Sequence, residues 1–174
     1  EVYFTPRILQ QIIPPEWIES ENQTEMRITL INGSQIKICG ADNVDSYRGV
    51  KLNKGSICVF DEFQQFKPSF TEAFLPNLSV NNPVLLIIGT PPSVEGQFTS
   101  FMDLAKTHND WRFFHYPSWV NPHVSKEWIE QERQRLYNMG EGETFEREIG
   151  AVFVKGGKRS IYPMFINMEK VNRE

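Results

Sequence analysis

No apolar run in this chain of 174 residues approaches the ~20 residues a membrane-spanning helix needs. The first residues do not read as a secretory signal either. Cysteine is scarce. Cys39 and Cys58 are the only two, they lack metal-ligand spacing, and both fall in apolar, strand-like stretches. They read as buried reduced thiols of the kind found in cytoplasm. Basic residues are not in excess, and the net charge of −4 gives no global footprint for nucleic acid. A DNA contact would have to be local or supplied by another part of the protein. The three histidines, His108, His115 and His123, include no i, i+4 pair, so a helix-borne zinc site is not expected. Nothing matches the phosphate-cradling loop G-x-x-x-x-G-K-[ST]. Internal repeats and low-complexity segments are absent from the sequence as well.

What the chain does hold is aromatic bulk, with 13 phenylalanines, and an ordinary charged fraction of 23%. That balance excludes a disordered polymer and provides for a sizeable core. Two uninterrupted apolar runs stand out, Ile57-Cys58-Val59-Phe60 and Val84-Leu85-Leu86-Ile87-Ile88. Each has the length of a strand and reads as buried on both faces, the pattern of a parallel sheet in an α/β protein. The first run ends in Asp61-Glu62 and the second in Gly89-Thr90-Pro91. Ligands of such sheets bind beyond the carboxyl ends of the strands, so Asp61, Glu62 and Thr90 are expected at one crevice. An aspartate at a strand end can hold Mg²⁺, directly or through a water, because this ion takes few carboxylates and keeps several waters. A neighbouring glutamate can orient a water for attack on a γ-phosphate. The same residues also suit a solvated acidic turn, and Glu62 also suits a cap for a helix beginning near Gln64.

Around these runs the elements follow from local signals. Phe4, Ile8, Leu9, Ile12 and Ile13 fit an amphipathic helix over Tyr3 to Ile13, ended by Pro14-Pro15. Alternation at Met26, Ile28 and Leu30, then Ile36 and Ile38, predicts a β-hairpin with a type I′ turn at Asn32-Gly33. Helices are predicted over Pro68 to Leu75, Glu95 to Lys106 and Lys126 to Met139, the last capped by Ser125, with Trp128, Ile129 and Leu136 facing the core. A further helical turn is expected over Phe145 to Ile149. Trp111 to Tyr116 is expected to form a third strand and, with Trp119, to be core. Gly96 and Gln97 read as a plain helix start. Lys155, Lys158 and Arg159 flank Gly156-Gly157 as the one concentrated basic patch, read as an interdomain linker with a DNA or subunit contact as the alternative. Glu1-Val2-Tyr3-Phe4 begins as though inside a domain, and the chain is expected to be a segment of a longer protein.

Several motifs then occur in one order: Arg48-Gly49, Asp61-Glu62, Pro76-Asn77-Leu78, Gly89-Thr90-Pro91, Asn121-Pro122 with its helix, and Phe145-Glu146-Arg147-Glu148 leading into Ala151-Val152-Phe153. From about Gly33 to Phe165 the series resembles the large terminase subunit of tailed bacteriophages, an ATPase motor that packages DNA. The resemblance implies an α/β fold: a partial P-loop NTPase of the additional-strand type, with a mostly parallel sheet flanked by helices, plus the β-hairpin. Residues 1–154 would be the carboxyl-side part of the ATPase domain, and residues 155–174 a linker toward a nuclease domain. Asp61 would be the Walker B metal ligand and Glu62 the water-activating glutamate. Gly89 and Thr90 would form the coupling motif that senses the γ-phosphate, and Arg48 an arginine finger. ATP and Mg²⁺ are the implied cofactors. Double-stranded DNA, a homo-oligomeric ring on a portal and a small terminase subunit are the implied partners, in the host cytoplasm. The family's Walker A loop would lie upstream of residue 1, so the segment alone is expected to be inactive.

Plainer roles stand beside these. Arg48 could bond loop carbonyls or pair with Asp42 or Asp45, and Thr90 could simply end its strand through its side chain. Two other readings compete with a packaging motor. A helicase-like ATPase also carries a strand ending in Asp-Glu, but Phe63 and Gly89-Thr90-Pro91 depart from its pattern. A non-catalytic assembly fragment would account for the missing phosphate loop.

Overall fold

A computed structural model of the chain describes Leu9, residues 11–42 and residues 50–154. The fold is α/β, with a small parallel sheet, an antiparallel sheet and flanking helices. The chain divides into two compact units, residues 1–47 and 48–174. Most of the helix expected over Tyr3 to Ile13 lies outside the described residues. Its end is visible: Ile13 N–H donates to Leu9 O at 2.7 Å before Pro14 stops it.

The first unit is a three-stranded antiparallel sheet of β1 (Ile18–Asn22), β2 (Arg27–Leu30) and β3 (Gln35–Lys37). The predicted hairpin is present, with Ile28 opposite Ile36. Its turn is not type I′. Only Gly33 has a positive φ, of 81°. Gly33 N–H donates to Leu30 O and Leu30 N–H to Ser34 O, both at 2.8 Å, enclosing a three-residue loop. That is a type I turn closed by a left-handed glycine. Asn32 keeps an ordinary φ and accepts from Ser34 N–H through Oδ1 at 2.9 Å. β1 carries no apolar alternation and had no signal in the sequence. It pairs with β2 all the same, and Ile28 is buried between its neighbours.

In the second unit β4 (Ile57–Phe60) and β5 (Val84–Ile87) pair in parallel, Phe60 opposite Ile87. A run of short elements crosses between them: a 3₁₀ turn at Phe63–Gln65, α1 (Pro68–Phe74) and a second 3₁₀ turn at Leu75–Ser79. Asn81 and Asn82, both at positive φ, then redirect the chain into β5. α2 (Gln97–Thr107) follows, then α3 (Lys126–Asn138) and α4 (Gly142–Glu148).

Phenylalanine rings bind the strand pair to α1 and α2. Phe60 meets Phe63 at 5.7 Å, Phe70 at 5.5 Å and Phe74 at 5.1 Å between centroids. Phe63 meets Phe98 and Phe101 edge-on at 5.6 and 5.5 Å. Such pairs contribute beyond the area they bury. Phe63 is fully enclosed, with no exposed surface. A second, smaller core joins α3 to α4 through Leu136, Phe145, Ile149 and the half-buried Ile129. Ser125 caps α3 by accepting from Trp128 N–H at 3.2 Å, as its sequence position predicts. At the other end Glu141 N–H donates to Leu136 O and Gly140 N–H to Tyr137 O, with Gly140 at φ 70°. This Schellman closure turns α3 back onto α4.

Three expectations about burial are corrected. The strand pair is covered on one face alone: Cys58 and Phe60 are buried, whereas Ile57, Val59, Val84, Leu86 and Ile88 are exposed. Two strands and two helices supply only one covering layer among the described residues. Trp111 to Tyr116 joins no ladder, and Phe113, Phe114, Tyr116 and Trp119 are exposed, as is Trp128 on α3. Instead the segment is tied to the end of α4, where His115 Nε2 lies 3.1 Å from Gly150 O and Ser118 N–H donates to Ile149 O at 2.8 Å. Cys39 is exposed and outside any strand, whereas Cys58 is buried. Desolvation raises the Cys58 thiol pKa above its ordinary value. Among the described residues, no helix is long and apolar enough to cross a membrane.

Phe63→Ala should cost about 3–5 kcal/mol, the range for deleting a fully packed aromatic ring. Urea denaturation of the chain measures it, and an unchanged midpoint would show that the ring cluster does not hold this unit together.

Candidate functional site

The two carboxylates stand at the carboxyl end of β4 because the ladder there contains one residue too many. Ile88 N–H donates to Phe60 O at 2.8 Å, and Phe63 N–H donates to Ile88 O at 3.0 Å. A regular parallel ladder places a single residue between these two bonds. Here it holds two, Asp61 and Glu62, which makes a bulge. Bulges commonly re-aim side chains at functional sites. Both acidic residues are exposed at the tip.

The backbone makes room for the extra residue at Glu62, which adopts the left-handed conformation at φ 53°, ψ 42°. That conformation costs a non-glycine residue about 1 kcal/mol or more. Two bonds hold it: Gln65 N–H donates to Glu62 O at 2.9 Å, and Glu62 N–H donates to Asp61 Oδ1 at 3.1 Å. Burial of Phe63 immediately afterwards fixes where the chain must go. Glu62 therefore stands at the head of a 3₁₀ turn, and its side chain does not cap that turn.

Thr90 is half-buried at the end of β5, next to the buried Pro91. Its N–H donates to Gln64 Oε1 at 3.2 Å, and Gln64 Nε2 donates to Glu62 Oε2 at 2.5 Å. Asp61, Glu62, Gly89 and Thr90 are thus brought to one place, joined by a residue that the sequence reading passed over. Its only signal was position, two residues after the carboxylate pair. Gly89 lies against the same amide. A Cβ added there would fall 2.2 Å from Gln64 Oε1 and 3.1 Å from Phe63 N.

Among the described residues no cation pairs with Asp61 or Glu62, and no group of three or more His, Cys, Asp and Glu side chains could hold a metal ion. The tip offers two hard oxygen donors and open solvent. Arg48 lies outside the described residues, as do Lys155, Lys158 and Arg159. Gly96 and Gln97 are a plain helix start. Thr99 Oγ1 accepts from Gly96 N–H at 2.9 Å, while Gln97 spends its amide internally on Thr71 Oγ1 and Phe66 O, each at 2.6 Å. No family model, curated protein or solved structure matches the chain.

The backbone at Glu62 can be tested apart from its charge. Glu62→Gly and Glu62→Ala both remove the carboxylate, and only glycine is free of the left-handed penalty. The glycine variant should be the more stable by about 1 kcal/mol in denaturant titration. Equal stability, or alanine ahead, would mean that the bulge does not hold Glu62 at positive φ in solution.

Proposed function

We propose that this chain is the carboxyl-side part of a P-loop ATPase domain of the large-terminase kind, acting in ATP-driven packaging of double-stranded DNA. The observation that carries the reading is the bulged strand tip, where two adjacent carboxylates share the end of a parallel strand pair with a Gly-Thr-Pro loop. Hard carboxylate oxygens in an otherwise uncrowded setting suit Mg²⁺, which takes one or two of them and completes its shell with waters and phosphate oxygens.

In this mechanism Asp61 is the ligand to the Mg²⁺ that accompanies ATP, directly or through a water. Its Oδ1 accepts from the Glu62 N–H, a bond that orients the carboxylate at the strand tip. The ion, when bound, neutralises charge on the β- and γ-phosphates. Glu62 orients the attacking water and accepts its proton. Thr90, at the end of the neighbouring strand, responds to loss of the γ-phosphate. Arg48 reaches the nucleotide of an adjacent subunit in a homo-oligomeric ring mounted on a portal, with a small terminase subunit as a further partner. The setting is the host cytoplasm, and the phosphate loop belongs to a preceding segment of the protein. The aliphatic face of β4 and β5 fits this incompleteness, since parallel strands ordinarily have a layer on each side.

That same face supports a second reading, a non-catalytic assembly module, because a contiguous exposed apolar patch also suits a protein partner. Glu62→Gln separates the two. In the full-length protein it should lower ATP turnover about a hundredfold or more, with ATP affinity within about threefold of wild type. Near-normal turnover would remove Glu62 from the chemistry. A wild-type protein with no nucleotide affinity would leave the assembly reading in place.

A further inference from the structure

We propose that Gln64 is a positioning residue that ties the Glu62 carboxylate to the loop after β5, so that a change in what the carboxylate contacts is felt at Thr90. The role assigned to the tie rests on the ATPase reading; the tie itself does not. One planar carboxamide spans the two strand tips. Its Nε2 donates to Glu62 Oε2 and its Oε1 accepts from Thr90 N–H. Oxygen and nitrogen are fixed in one rigid plane, so neither end can follow a moving partner without turning the other. A carboxylate drawn toward a cation or a water leaves Nε2 without its acceptor, or takes the amide with it. In both cases Oε1 shifts against the Thr90 amide.

Gly89 lies against the same amide. Its φ is not in the left-handed region, so the backbone does not call for glycine there. What glycine supplies is room: a Cβ would sit 2.2 Å from Gln64 Oε1, 3.0 Å from Phe98 Cε1 and 3.1 Å from Phe63 N. A side chain at residue 89 would push the amide out of its seat. The glycine of Gly89-Thr90-Pro91 thus leaves room for the bridge, and the threonine contributes its backbone N–H. Gln64 is itself half-buried and sits in the turn anchored by Phe63, which limits how far the amide can wander.

Amide exchange and ¹H–¹⁵N spectra of the chain test the tie without any turnover. Gln64→Met keeps the length of the side chain and loses both bonds. It should speed exchange of the Thr90 amide about five- to tenfold, as expected for one lost hydrogen bond. In the wild-type background Glu62→Ala should move the Thr90 resonance, and in the Gln64→Met background it should not. Gly89→Ala should reproduce the Gln64→Met exchange rate. In the full-length enzyme Gln64→Met should lower kcat about tenfold with KM within twofold. Thr90 exchange within twofold of wild type in Gln64→Met, or a Thr90 resonance that answers Glu62→Ala equally with and without Gln64, would overturn the proposal. Unchanged kcat in Gln64→Met would overturn its catalytic role. Absence of ATP turnover in the wild-type full-length protein would defeat the ATPase reading, and the Thr90 measurements would still decide the tie.

Discussion

Burial of Phe63 is the constraint on which the second unit depends. The ring lies between β4 and α2, in contact with Phe60, Phe66, Phe98 and Phe101. Its N–H closes the last rung of the ladder on Ile88 O. To reach that position directly from Phe60, the chain must fit two residues into the space of one. Asp61 and Glu62 are therefore expelled to the tip, Glu62 in a left-handed conformation. Hydrophobic packing thus produces the feature of greatest chemical interest: an aromatic ring drawn inward forces two carboxylates outward, and the cost of one strained residue is offset by the cluster.

Much of this was legible in the sequence, and the remainder was not for identifiable reasons. Both parallel strands, the three helices α1 to α3 and the Ser125 cap follow from apolar runs, 3.6-residue periodicity and capping chemistry, while α4 begins earlier than the helical turn expected over Phe145 to Ile149. The juxtaposition of Asp61 and Glu62 with Thr90 follows from strand ends in a parallel pair. The bulge was invisible because it depends on which residue's N–H completes a rung with Ile88, a non-local matter. Gln64 was overlooked for the same reason, since the partner of its Oε1 stands 26 residues away. The hairpin signal at Asn32-Gly33 was sound in location, but a three-residue loop replaced the two-residue one.

Misreadings of burial share one physical origin. An apolar run reports a preference for being covered, and the layers around it decide whether it is. Ile57, Val59, Val84 and Leu86 have the composition of a strand buried on two faces and have one face bare. Trp111 to Tyr116 has the aromatic composition of a strand, but strand preference is realised only where a neighbouring strand offers an edge. Here the segment instead bonds to the end of the α3–α4 hairpin through His115 and Ser118. Bare aliphatic strands and a carboxylate tip with no phosphate cradle are consistent features of one proposal: part of a nucleotide-binding sheet whose other strands come from elsewhere.

The central claim is that the bulged tip is where a metal–nucleotide pair binds. Mn²⁺ shares the oxygen preference of Mg²⁺ and broadens nearby amide resonances even when binding is weak. Titrating the ¹⁵N-labelled chain with Mn²⁺ and ATP should broaden Asp61, Glu62 and Thr90 before any other residues, and Asp61→Asn should abolish the effect. Broadening spread over the acidic surfaces of α3 and α4, or unaffected by Asp61→Asn, would contradict the account.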